Sequence, residues 1–153
     1  DLKSSNILID SNWSVKLCDF GLSRVKYQSD RKRFSKQRVG TPHWMAPEIL
    51  RSEKYDEAAD VYSFGMVLWE IITGEIPYKN VPINEIITTV GHEGKQIPLP
   101  TKGHPLVLAM MKSCLSLQKE DRPTFKDIVG QLQQRNKGPL MAKKNDLFNF
   151  FGN

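Results

Sequence analysis

Two hydrophobic patterns divide the chain. Near its start, Ile7-Leu8-Ile9 and Val15-Lys16-Leu17 are brief apolar runs separated by the turn-forming Asp10-Ser11-Asn12. That spacing predicts a β-hairpin, with Val15, Leu17 and then Phe20 lining a short buried strand. Downstream the pattern becomes helical. Ala58 to Thr73, A-A-D-V-Y-S-F-G-M-V-L-W-E-I-I-T, is apolar nearly all round and stops at Gly74, which predicts a buried central helix with a glycine just past its end. Further helices are predicted over Asn84 to Val90, Leu106 to Leu117 and Phe125 to Arg135. The last is announced by Pro123 and by Thr124 three residues before Asp127, an approximate capping box. The expected fold is α+β and mostly α, a short hairpin followed by a helical bundle around one buried helix.

Composition fits one ordinary domain: 153 residues, 39% hydrophobic and 25% charged, enough apolar material for a core. No apolar run reaches the roughly 18 residues of a membrane helix, so no membrane span is expected. Cys18 and Cys114 lack metal-ligand spacing and sit in apolar contexts, which points to a reducing, cytoplasmic setting rather than a disulfide scaffold. The chain opens with Asp1 rather than Met, so it is expected to be a piece of something longer.

Charge changes the picture once it is located. Residues 24–38, R-V-K-Y-Q-S-D-R-K-R-F-S-K-Q-R, hold seven Lys or Arg against one Asp, and the remainder holds fifteen against sixteen, so the whole excess of +5 sits in this segment. It has neither helical nor strand periodicity and reads as a long loop of the kind that carries function. No nucleic-acid fold pattern accompanies it, so nucleic acid is not expected as a partner.

The candidate chemistry lies beside the hairpin. Asp1-Leu2-Lys3-Ser4-Ser5-Asn6 places a carboxylate, an amine and an amide immediately before the first strand, and Asp19 follows the second. The hairpin brings Asn6 back toward Asp19, and their oxygens are the ligands a hard cation such as Mg²⁺ prefers. Lys3 offers a point charge for a phosphate, and Asp1 remains free as a base. The same residues also read as a solvated terminus with a helix-capping Asn, and Cys18 reads as a small buried hydrophobe.

The order of motifs resembles the eukaryotic protein kinase family. D-x-K-x-x-N at Asp1 to Asn6 is followed by D-F-G at Asp19 to Gly21 and A-P-E at Ala46 to Glu48, then by D-V-Y-S-F-G-M-V-L-W-E at Asp60 to Glu70, G-E-I-P-Y at Gly74 to Tyr78 and D-R-P-T-F at Asp121 to Phe125. Three such tripeptides in family order are a specific signal. Lys3, Thr41 and the Asp60 to Glu70 stretch together are most similar to the tyrosine-kinase-like serine/threonine group that includes Raf and mixed-lineage kinases.

The resemblance implies a kinase-like C-terminal lobe over residues 1–135, a tail over 136–153, and phosphoryl transfer from ATP to Ser or Thr of a protein substrate. In that reading Asp1 accepts the hydroxyl proton, Lys3 steadies the phosphoryl group, Asn6 and Asp19 hold Mg²⁺, and Cys18 lies by the nucleotide. Asp60 would hold the catalytic-loop backbone or simply complement a helix dipole, and Glu48 and Arg122 would form an ion pair. The basic segment resembles an activation loop. An upstream kinase would act on Ser35, which follows Arg31-Lys32-Arg33-Phe34, with Tyr27, Ser29 and Thr41 as other acceptors. The glycine-rich loop, the strand lysine with its helix glutamate and the His-Arg before Asp1 are not in this sequence, so the isolated fragment is expected to be inactive. A non-catalytic lobe that binds partners, and a tyrosine or dual-specificity kinase, are the alternatives.

Overall fold

The computed structural model describes residues 1–22 and 40–136. The basic segment with Tyr27, Ser29 and Ser35 lies outside the described residues, as does the tail beyond Asn136. The described residues are mostly helical, with one two-stranded sheet.

Strands β1 (Ile7–Ile9) and β2 (Val15–Leu17) pair antiparallel with Ile7 opposite Leu17 and Ile9 opposite Val15. Asp10 makes the turn: its Oδ1 accepts from the backbone N–H groups of Asn12 at 2.8 Å and Ser14 at 2.9 Å, the local pairing that makes Asx residues turn formers. The expected burial of this hairpin does not occur. Val15 is 63% exposed, Leu17 52% and Phe20 66%, because alternation marks a face that suits cover without saying what supplies it.

Five helices follow: α1 (Pro47–Leu50), α2 (Ala58–Thr73), α3 (Ile83–Ile86), α4 (Pro105–Cys114) and α5 (Phe125–Asn136). Helix α2 has the predicted bounds and is the scaffold. Asp56 caps its start by accepting from Ala58 N at 3.0 Å, and Gly74 N–H closes its end on Glu70 O at 2.8 Å. Its Val61, Tyr62, Met66 and Trp69 join Met110, Met111 and Cys114 of α4, Leu115 and Ile128 of α5 in the main core. Each such side chain contributes about 1.5–3 kcal/mol relative to exposure. Helices α2 and α4 approach so closely at Gly65 that a Cβ there would lie 2.9 Å from Cys114 Cβ and from Leu115 Cγ, a spacing only glycine permits in a close-packed interior.

Two predicted helices are reshaped by their surroundings. The one expected over 84–90 is α3 continued by a π-helical stretch, Ile87–His92, where Ile86, Ile87 and Val90 pack with Met45 and Leu50 in a second core cluster. The one expected to reach Leu117 stops at Cys114. The carbonyl of Leu115 accepts from Gln96 Nε2 at 2.6 Å, and those of Ser116 and Leu117 accept from Arg122 at 2.8 and 3.4 Å. The Thr124–Asp127 capping box forms reciprocally, Asp127 Oδ2 accepting from Thr124 N at 3.0 Å and Thr124 Oγ1 accepting from Asp127 N at 3.2 Å.

The expected Glu48–Arg122 pair locks these parts together. Arg122 Nη1 and Nη2 donate to the two Glu48 oxygens at 2.7 and 2.9 Å, and the side chains are 0% (Arg122) and 5% (Glu48) exposed. Nη1 also donates to Ala58 O at 3.0 Å, Nε to Ser116 O and Nη2 to Leu117 O, so all five guanidinium protons have acceptors. The Tyr62 ring lies beneath the guanidinium at 5.1 Å, a cation–π contact strengthened by desolvation. Removing one partner of such a pair strands a buried charge. Arg122→Ala is therefore expected to cost about 3–5 kcal/mol, read as a large fall in the denaturation midpoint; an unchanged midpoint would contradict the pairing.

Candidate active site

The segment before β1 is held in place by its own polar groups. Asn6, buried at 7% exposure, ends a single helical turn over Ser4–Asn6. Its Nδ2 donates to Asp1 O at 2.8 Å, so its amide oxygen is the atom turned away from Asp1. The carbonyl of Asn6 accepts from Cys18 N at 2.9 Å, continuing the hairpin ladder by one rung and setting Asn6 next to the strand end that carries Asp19.

Asp1, Lys3 and Thr41 form one network across 40 positions of sequence. Asp1 Oδ2 pairs with Lys3 Nζ at 2.9 Å, Asp1 Oδ1 accepts from Thr41 N at 3.0 Å, and Lys3 Nζ donates to Thr41 Oγ1 at 2.6 Å. The side chains of Lys3 and Asp1 are 19% and 9% exposed. The ammonium is thus fixed between a carboxylate and a hydroxyl rather than free on the surface. Charge-assisted bonds of this kind are about twice as strong as neutral ones, and they orient Asp1 without consuming all the lone pairs of a carboxylate. Gly40 permits the approach. Its φ is +128°, and a Cβ there would sit 2.7 Å from Met45 Cε and 3.2 Å from Asp1 Oδ1, so this position needs a residue without a side chain.

Asp19 and Cys18 are placed differently. Cys18 is half-buried, and Asp19 is exposed with φ 59°, a left-handed conformation that Asp tolerates better than most residues. Among the described residues the Asp19 carboxylate makes one long contact, from Gly21 N at 3.4 Å, and no hydrogen bond to Asp1, Lys3 or Asn6. So the structure joins Asp1, Lys3, Asn6 and Thr41 directly, and connects Asp19 to them only through the hairpin backbone. Asp60 is exposed in the first turn of α2 and makes no hydrogen bond with residues 1–6; helix-dipole complementation is the role its position supports. Cys114 belongs to the core instead, where burial pushes its thiol up to about 12. Sequence reasoning missed Glu70, which accepts from both Ser4 and Trp44.

The site thus holds a carboxylate against an ammonium and a backbone N–H, with a hydroxyl on the same ammonium and with an amide oxygen and a second carboxylate one hairpin away. The sequence model described as protein tyrosine and serine/threonine kinase matches residues 1–132. The chain is 44% identical over 133 residues to the protein named "Probable serine/threonine-protein kinase drkB" of Dictyostelium discoideum, covering 87% of this chain and 19% of that one. It is 42% identical over 133 residues to serine/threonine-protein kinase CTR1 of Arabidopsis thaliana, covering 87% and 16%. It is also 42% identical over 128 residues to mitogen-activated protein kinase kinase kinase dlk-1 of Caenorhabditis elegans, covering 84% and 14%. Among such curated relatives the chain spans between 10% and 20% of their length. These similarities are in keeping with the tyrosine-kinase-like serine/threonine group that the motifs resemble. With the match running from residue 1 through α5 almost to its end, the chain belongs to the protein tyrosine and serine/threonine kinase family.

Proposed function

We propose that this chain is the C-terminal lobe of a longer protein kinase, with residues 1–135 as the kinase portion and 136–153 as a tail, and that it serves phosphoryl transfer from ATP to Ser or Thr of protein substrates. The observation that carries this reading is the Asp1–Lys3–Thr41 network. It puts a base, a cation and a hydroxyl-bearing loop in one place, and catalysis of this reaction rests on positioning and charge neutralisation.

Asp1 accepts the proton of the substrate hydroxyl on a lone pair that Lys3 and Thr41 leave open. Lys3, fixed by Asp1 and Thr41, directs its positive charge to the phosphoryl group as it passes to that hydroxyl. Thr41 forms the wall on which the acceptor residue rests. Asn6 and Asp19 fit Mg²⁺: an amide oxygen and a carboxylate are hard ligands, and this ion is commonly held by one or two such groups with water and phosphate completing its shell. When bound, Mg²⁺ neutralises phosphate charge. Cys18, half-buried beside Asp19, would flank the nucleotide. No helix of the described residues is long and apolar enough to cross a membrane. A cytoplasmic setting is part of the proposal and rests on Cys18 and Cys114 being free thiols.

Asp1→Asn and Asp19→Ala in the longer protein are each expected to lower turnover by about 100-fold or more. Steady-state assay with a protein substrate checks this, and near-normal turnover in either variant would refute the assigned roles.

The basic segment is proposed as the regulatory element, with Ser35 the residue an upstream kinase modifies. A phosphate there brings about −1.5 to −2 charge among neighbouring Arg and Lys, of which residues 24–38 hold seven. Mass spectrometry of the active protein is expected to find phosphate on Ser35, and Ser35→Ala to reduce activity. Full activity with no phosphate anywhere in residues 22–41 would sink the assignment.

A further inference from the structure

Glu70 sits in the last turns of α2, where a carboxylate opposes the helix dipole and gains nothing from local structure. Its partners are far away in sequence. Oε1 accepts from Ser4 Oγ at 2.8 Å and Oε2 accepts from Trp44 Nε1 at 3.2 Å. Ser4 adjoins Lys3, and Trp44 lies three residues beyond Thr41, whose hydroxyl Lys3 holds. The two segments of the site therefore meet twice, once directly through Asp1, Lys3 and Thr41 and once through the Glu70 carboxylate. The backbone beside the second link is also fixed: Ser63 Oγ, on the same helix, donates to Trp44 O at 2.8 Å.

We propose that Glu70 is a positioning residue: its carboxylate sets the spacing between the segment bearing Asp1 and Lys3 and the loop bearing Thr41, by accepting simultaneously from Ser4 and Trp44. This rests on the phosphoryl-transfer reading above. Helix α2, with most of its side chains buried, provides the rigid base, and a carboxylate suits both partners as they stand because each donates to it. Glutamine is the one neutral replacement that preserves the geometry. Its oxygen faces the Trp44 N–H, and its amide donates to the Ser4 oxygen, which a hydroxyl can accept by turning. Leucine removes both bonds at similar volume and leaves the Trp44 N–H without an acceptor.

The test compares Glu70→Leu with Glu70→Gln in the longer protein. Loss of registration is expected to lower kcat by roughly 10- to 100-fold in Glu70→Leu, with KM for ATP within about twofold of the wild type, since nucleotide binding does not use this link. Glu70→Gln is expected to restore most of the rate. Unchanged kcat in Glu70→Leu would overturn the proposal, and so would equal losses in both variants that follow their stability. A second measurement on the full chain separates failure of this proposal from failure of the kinase reading. Ser4 and Trp44 are linked through Glu70, so Ser4→Ala and Trp44→Phe are expected to be non-additive in the unfolding constant by at least about twofold, and additive once Glu70 is Leu. If no phosphoryl transfer is found in the wild type, this cycle still decides: the same additivity with and without Glu70 overturns the link.

Discussion

The structure depends on one buried charge pair. Glu48 and Arg122 are separated by 74 positions and excluded from water, so neither can be left unpaired without a penalty of several kcal/mol. The geometry answers that constraint fully. Arg122 spends every proton on the Glu48 carboxylate or on the carbonyls of Ala58, Ser116 and Leu117. These acceptors belong to the beginning of α1, the beginning of α2 and the segment just past the end of α4. A single guanidinium thus ends one helix, anchors another and fixes the short helix that follows the Thr41 loop. The position of Thr41 over Lys3 depends on that anchor, seven residues before Glu48, the residue Arg122 grips.

From this anchor the site is assembled in two layers. The apolar packing of α2 against α4, tight enough to exclude a methyl group at Gly65, supplies a base that does not deform. Two polar side chains of α2 then reach the loops: the buried Ser63 to the Trp44 carbonyl, and the partly buried Glu70 to Ser4 and Trp44. The hairpin provides the remaining geometry. Its short register brings Cys18 against Asn6 and so delivers Asp19 to the neighbourhood of the catalytic-loop segment. The fold holds its chemistry on loops and positions those loops with helices.

Much of this was legible locally. The all-round apolar run ending at Gly74 marked α2 with its observed bounds, Asp10-Ser11-Asn12 marked the hairpin turn, and Thr124 with Asp127 marked the start of α5. Each of these is encoded within a few residues. The family motifs carried the Glu48–Arg122 pair, which no local pattern announces, and named Asp1, Lys3, Asn6 and Asp19 as candidates. What escaped the sequence was long-range. Val15, Leu17 and Phe20 alternate as a buried strand does, yet exposure depends on what covers them. The early end of α4 reflects carbonyls taken by Gln96 and Arg122. The π-helical turn at Ile87–His92 changes the helical period by packing, against a sequence that reads as ordinary helix. Glu70 lies inside a run that reads as apolar nearly all round, and its partners Ser4 and Trp44 are distant in sequence.

The proposed transfer to Ser and Thr hydroxyls rests on the network of Asp1, Lys3 and Thr41. The most direct measurement is phosphoryl transfer by the longer protein to matched peptides that differ only in carrying Ser, Thr or Tyr as the acceptor. The account predicts transfer to the Ser and Thr peptides, with the Tyr peptide at background, and loss of that preference in Thr41→Val. Efficient labelling of the Tyr peptide, or an unaltered preference in Thr41→Val, would contradict it.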